Sequence, residues 1–206
     1  MDKCLRCHLK QLRSPFIEVK TKIFLTGFRG SGKTTLAKLL AKKLGFGLIE
    51  MDELIVKRTK KLIAEMTKEG KEWYNFRVLE SEILKELIKK EKFVVATGGG
   101  LFVNDVKFSE ETTFGEYNFN LVKTLPDKLI IFLKVQEKKL GKRMAQEKNY
   151  NKNWRPSLIG NQRIDPEEDI KIYRQRLPFY ELRSDFIIDT SEQTPEESLN
   201  EILKTL

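Results

Sequence analysis

In Gly27-Phe28-Arg29-Gly30-Ser31-Gly32-Lys33-Thr34, two glycines separated by four residues are followed by Lys and Thr, the spacing of a phosphate-binding loop. Glycines at 27, 30 and 32 let the main chain turn tightly and aim its N–H groups at one point, where a following helix adds its N-terminal partial charge. That nest suits a polyphosphate. Lys33 is placed to reach the β and γ phosphates as a compact cation, and the Thr34 hydroxyl to ligate a bridging Mg²⁺, with Ser31 and Thr35 completing the nucleotide-binding run. The competing reading, a glycine-rich turn with an incidental lysine, needs eight positions to agree by chance.

Three further groups could serve an acceptor site. Glu50 and Asp52 follow the apolar run Gly47-Leu48-Ile49, and strand ends of open α/β sheets are where ligands bind. Arg77 and Glu80 fall on one face of a helical pattern. Gly98, Gly99 and Gly100 follow Phe93-Val94-Val95-Ala96-Thr97 directly, and a glycine triplet there implies close approach to the main chain.

The elements that must position these residues follow from apolar periodicity. Buried strands are expected at Lys22 to Thr26, Gly47 to Met51, Phe93 to Thr97, Leu129 to Val135 and Asp185 to Asp189. Helices are expected from Thr34 to Leu44, Glu53 to Arg58, Ile63 to Lys68, Glu72 to Glu91, Glu137 to Glu147, onward from Pro166 past Arg176, and from Pro195. Leu101 to Asp127 shows no clear periodicity. Strands alternating with helices predict an α/β fold, three layers α/β/α around a central five-stranded parallel sheet.

At 206 residues and 40% hydrophobic content, one domain is expected over residues 21–206, with residues 1–20 as an N-terminal extension. No apolar run reaches the roughly 20 residues that span a membrane, so a cytoplasmic protein without a membrane partner is expected. The net charge of +9 raises a nucleic-acid reading, but the basic residues are interleaved with glutamates and form no stripe, so no nucleic-acid partner is expected. Cys4, Cys7 and His8 match half a zinc site or a haem-attachment spacing, and are read instead as part of a loosely docked basic extension. Lys148 to Ile164 is polar and long for a connection, as lids are.

Taken with the phosphate loop, Ile49-Glu50-Met51-Asp52, Phe76-Arg77-Val78-Leu79-Glu80, Ala96-Thr97-Gly98-Gly99-Gly100, Arg155-Pro156 and Arg176-Leu177-Pro178-Phe179-Tyr180 resemble shikimate kinases, a family of phosphate-loop kinases. The resemblance covers most of Lys22 to Leu206. It implies ATP as co-substrate, Mg²⁺, a monomer, and transfer of the γ-phosphoryl group to the 3-hydroxyl of shikimate. By the same resemblance Lys33, Asp52 and Arg155 are catalytic, Arg143 packs on adenine, and Arg155 meets the phosphoryl group from a lid at about 148–164. Arg77 and Arg176 clamp the carboxylate, Glu80 holds Arg77, and Gly98, Gly99 and Gly100 approach the substrate. Glu50 stands where the family usually has Asp, and is assigned to the metal through water. Arg143 and Glu80 also fit the bland reading of helix-surface charges. The lid reads Arg155-Pro156-Ser157-Leu158 where the family usually has Arg-Pro-Leu-Leu, and the stretch from Arg143 to Arg155 is longer than typical.

A kinase for another small polyol or sugar acid such as gluconate, and a nucleic-acid-binding NTPase, are the alternatives. All readings that use the phosphate loop share one consequence: Lys33→Ala should abolish phosphoryl transfer while leaving the circular-dichroism spectrum and melting temperature close to wild type. Near-normal turnover would remove the loop from the chemistry.

Overall fold

The computed structural model describes residues 20–67, 72–146 and 166–206. Cys4, Cys7, His8, the lid expected at 148–164 and Arg155 lie outside the described residues. In chain order the elements are β1 (Lys22–Thr26), α1 (Lys33–Leu44), β2 (Gly47–Glu50), α2 (Met51–Thr59), α3 (Ile63–Met66), α4 (Glu72–Leu87) and β3 (Phe93–Ala96). They continue as α5 (Phe114–Val122), β4 (Lys128–Lys134), α6 (Glu137–Gln146), α7 (Pro166–Leu182), β5 (Phe186–Asp189) and α8 (Pro195–Leu203).

The five strands form one all-parallel sheet in the order β2-β3-β1-β4-β5, with β1 at its centre. Side chains alternate across a strand, and the sheet sorts its apolar residues accordingly. Phe24, Phe93, Val95, Ile130 and Phe132 face one core with Met51, Phe76, Leu84, Leu87, Tyr173 and Tyr180. Ile23, Leu25, Val94, Ala96, Leu129 and Ile131 face the other, against Leu36, Leu40 and Ala41 of α1 and Ile202 of α8. The expected three-layer α/β/α architecture is therefore present, because strands apolar on both faces need helices on both.

The topology creates the site. Helix α1 returns the chain from β1 towards β2 across one face, while the connection from β3 to β4 carries α5 across the other. The chain ends of β1 and β3 thus part in opposite directions, opening a crevice beyond their carboxyl ends.

Two stretches go beyond the sequence reading. The segment without clear periodicity contains α5, nine residues capped by Thr113, whose hydroxyl accepts from the Glu116 N–H at 3.2 Å. A short antiparallel bridge pairs Lys107 with Thr113 at its entry, and Thr113 itself is a cap signal passed over when apolar spacing is sought. Helix α7 runs on past Pro178 to Leu182, although an internal proline usually ends or kinks a helix at the residue before it. This continuation is what places Tyr180 under the sheet.

Candidate active site

Three glycines of the loop after β1 adopt backbone angles that disfavour a side chain: Gly27 at φ 143°, Gly30 at φ 77° and Gly32 at φ 93°. A Cβ on Gly27 would also lie 2.8 Å from both the Leu133 carbonyl and the Ser31 hydroxyl. Helix α1 begins immediately afterwards with no side-chain cap on Gly32 and no acidic residue in its first turn. An uncapped helix start of this kind leaves N–H groups for an anion. Lys33 Nζ donates to the carbonyls of Gly27 and Phe28 at 2.8 Å each, which holds the cation over the loop.

A cleft of about 620 Å³ opens from this loop. Gly30, Gly32, Lys33, Thr34, Thr35 and Arg143 line one half, and Glu50, Asp52, Arg77, Glu80, Gly98, Gly99, Gly100 and Arg176 the other. Of the candidates among the described residues, Gly27 and Ser31 sit behind the lining, Gly27 through its carbonyl bond from Lys33 and Ser31 as a buried side chain.

In the acceptor half the dominant feature is a buried ion pair. Arg77 Nη1 donates to Glu80 Oε2 at 2.5 Å, and the two residues are 3% and 0% exposed, which excludes the helix-surface reading of Glu80. Burial pushes the Glu80 carboxyl above the usual carboxylate range, opposed by the charge and hydrogen bond of Arg77. The guanidinium lies 4.9 Å from the Trp73 ring centroid and 5.2 Å from that of Phe76, so aromatic faces replace water around it. Arg176, half-buried on α7, has its guanidinium held below its ordinary range by burial and by Arg77, against Asp105 and Glu80.

The glycine triplet makes room for this pair. A Cβ on Gly98 would stand 2.2 Å from Glu80 Oε1 and one on Gly100 would stand 2.8 Å from Arg77 Nη2, while at Gly99 the neighbour is the Gly27 carbonyl at 3.3 Å. The close approach expected at these glycines is thus already made by the protein's own side chains and by the phosphate loop.

Glu50 lies at the end of β2 with its Oε1 2.9 Å from Lys38 Nζ, a hydrogen bond that also holds the lysine above its ordinary range. Arg143 donates to the Thr190 carbonyl and, at 3.2 Å, to its hydroxyl, which brings the end of β5 against the nucleotide half. Sequence reasoning missed Trp73 and the pair Arg29–Asp169, 3.3 Å apart and nearly buried, which joins the phosphate loop to α7. No local pattern announces a contact between residues this far apart in sequence. Trp73 was visible one turn before Arg77.

The strand order, the phosphate loop and the cleft beside it define a phosphate-loop kinase fold. The family model for shikimate kinase matches residues 29–206. The chain belongs to the shikimate kinase family. A shikimate kinase from Thermodesulfovibrio yellowstonii is 38% identical over 184 residues, covering 88% of this chain and 92% of that protein. The structure of the Acinetobacter baumannii shikimate kinase in complex with shikimate superposes with a TM-score of 0.73 at 25% identity, over 91% of this chain and 93% of that one. The Aquifex aeolicus enzyme gives 0.65 at 28% identity, over 89% and 94%.

The fit of Gly98 against Glu80 is directly testable. Gly98→Ala should displace the Glu80 carboxylate and lower stability by about 1–3 kcal/mol, the usual range for an overpacked site. Denaturant unfolding measures it, and an unchanged midpoint would mean the pair has free space.

Proposed function

We propose that this chain transfers the γ-phosphoryl group of ATP to the 3-hydroxyl of shikimate. The observation that carries the reading is the placement of Arg77 and Arg176 in the same cleft as the phosphate loop and Lys33. Paired, poorly hydrated guanidinium groups suit a carboxylate, and a polyol phosphorylated here must offer one.

The nucleotide's phosphates would sit on the loop amides and the start of α1, with Lys33 leaving its carbonyl partners for the β and γ oxygens. Arg143 would border the adenine, and Ser31 and Thr35 support the loop from behind and beside it. Arg77 and Arg176 would fix the acceptor carboxylate and Glu80 would fix Arg77. Asp52, on the first turn of α2, would accept a hydrogen bond from the attacking hydroxyl and orient or deprotonate it. Arg155, outside the described residues, is assigned to the transferring phosphoryl group by the resemblance. Most of the rate then comes from positioning and charge neutralisation.

The donor set fits Mg²⁺. The Thr34 hydroxyl and the Glu50 carboxylate are hard oxygen donors lining one cleft, and no cluster of three His, Cys, Asp or Glu side chains that could hold a metal ion occurs among the described residues. Mg²⁺ commonly uses few protein ligands and keeps several waters beside substrate phosphates, where it neutralises charge on the β and γ oxygens. Glu50 would act through water, with Lys38 holding its longer side chain towards α1. We take the catalytic unit as residues 21–206, acting as a cytoplasmic monomer, in keeping with the family resemblance; among the described residues no helix is long and apolar enough to cross a membrane.

An ATP-consumption assay with shikimate, gluconate or no acceptor tests the assignment. Shikimate alone should support turnover. Arg77→Ala and Arg176→Ala should each raise the KM for shikimate at least tenfold, since a charge-assisted bond is worth about 1.5–3 kcal/mol, with the KM for ATP within about twofold. Turnover with gluconate instead, or equal damage to both KM values, would overturn the acceptor assignment.

A further inference from the structure

Tyr180 is 1% exposed, yet it is neither a carboxylate clamp nor a phosphate ligand in the reading above. Its ring stacks on Phe132 of the central sheet, centroids 4.8 Å apart and planes 9° from parallel. Its hydroxyl crosses from α7 to donate a hydrogen bond to the Gly99 carbonyl, and it also takes a hydrogen bond from Arg176 on the same helix. Burial pushes the phenol up to about 12, so it remains a neutral donor at any pH near 7.

The bond to Gly99 has a directional consequence. A trans peptide is planar, so the Gly99 carbonyl and the Gly100 N–H point in opposite directions. No carbonyl of the described residues accepts from Gly100 N–H. The guanidinium of Arg77 lies over the α-carbon of the same residue, where a Cβ would meet Nη2 at 2.8 Å. Glycine dipeptides turn over easily, because neither residue carries a Cβ to restrict it. An anchor on the carbonyl therefore decides where the amide aims.

From this geometry we propose that Tyr180 is a positioning residue that, by holding the Gly99 carbonyl, aims the Gly100 N–H into the cleft beside Arg77 as a fixed donor to the acceptor substrate. Tyr180 lies one helical turn beyond Arg176 on α7, so the helix that supplies the second arginine also sets the glycine donor. The proposal deepens the acceptor reading and rests on it.

Tyr180→Phe keeps the ring and its stack and removes the hydroxyl with its bonds to both Gly99 and Arg176, so the Gly100 amide resonance is the readout that separates the two. It should raise the KM for shikimate about tenfold, the loss expected for one preorganised donor, with the KM for ATP within about twofold. Ile202→Ala, in the core on the other face of the sheet, provides the structural control, lowering the melting temperature while leaving the KM for shikimate within about twofold. In ¹⁵N-labelled protein, the Gly100 amide resonance should shift on shikimate binding in wild type and should differ between wild type and Tyr180→Phe. A shikimate KM in Tyr180→Phe within about twofold of wild type overturns the proposal, as does a Gly100 resonance identical in the two proteins. If Tyr180→Phe does not fold, the wild-type resonance decides: a Gly100 amide unmoved by saturating shikimate overturns it. If wild type neither binds nor phosphorylates shikimate, the acceptor reading itself fails, and the donor to substrate falls with it. The Gly100 resonance in the two proteins then reports only whether Tyr180 sets the peptide.

Discussion

A charged arginine almost out of contact with water is the constraint that shapes the acceptor half of this protein. Arg77 survives burial because Glu80 neutralises it one turn along the same helix and two aromatic faces enclose it. Desolvating both ions costs several kcal/mol each, and their attraction repays this only in good geometry. Neighbouring features follow from that requirement. Gly98 and Gly100 lack side chains where the carboxylate and guanidinium pass, and Tyr180 holds the peptide between them. A pair of this kind is a poor device for stability, since apolar residues of similar volume often serve better. Its retention in a cleft points to binding.

The nucleotide half is built on different physics. There the charge is met by main-chain N–H groups and a helix start, with one lysine held ready against loop carbonyls. The two halves meet because β1 and β3 are neighbours whose connections leave on opposite faces of the sheet. The Gly27 carbonyl, 3.3 Å from where a Gly99 side chain would begin, marks the seam. Arg29 and Asp169 tie the same loop to α7, so the helix bearing Arg176 and Tyr180 is fastened to both halves.

Much of this was legible in sequence where chemistry has a local spacing. The phosphate loop, the five apolar strands, and Arg77 with Glu80 three residues apart all declare themselves within short windows. Their family resemblance supplied the order in which they cooperate. Helix α5 escaped because it is only nine residues long inside a long connection rich in polar and turn residues, so its clearest mark was the cap at Thr113. The Tyr180 bond to Gly99 and the Arg29–Asp169 pair link residues 81 and 140 positions apart, by difference of their numbers, and only the folded topology brings them together. The glycine triplet was read as a point of close approach, and the protein's own Glu80 and Arg77 do approach it closely.

The claim that the Arg77–Glu80 pair exists for acceptor binding and not for folding can be put to one measurement: calorimetric titration of shikimate into Arg77→Met/Glu80→Met. Replacing both charges together avoids stranding either ion, a change often neutral or stabilising by up to about 4 kcal/mol, so this double variant should fold. The account predicts a folded protein that gives no heat of shikimate binding while still binding an ATP analogue. A folded double variant that binds shikimate as tightly as wild type would contradict it.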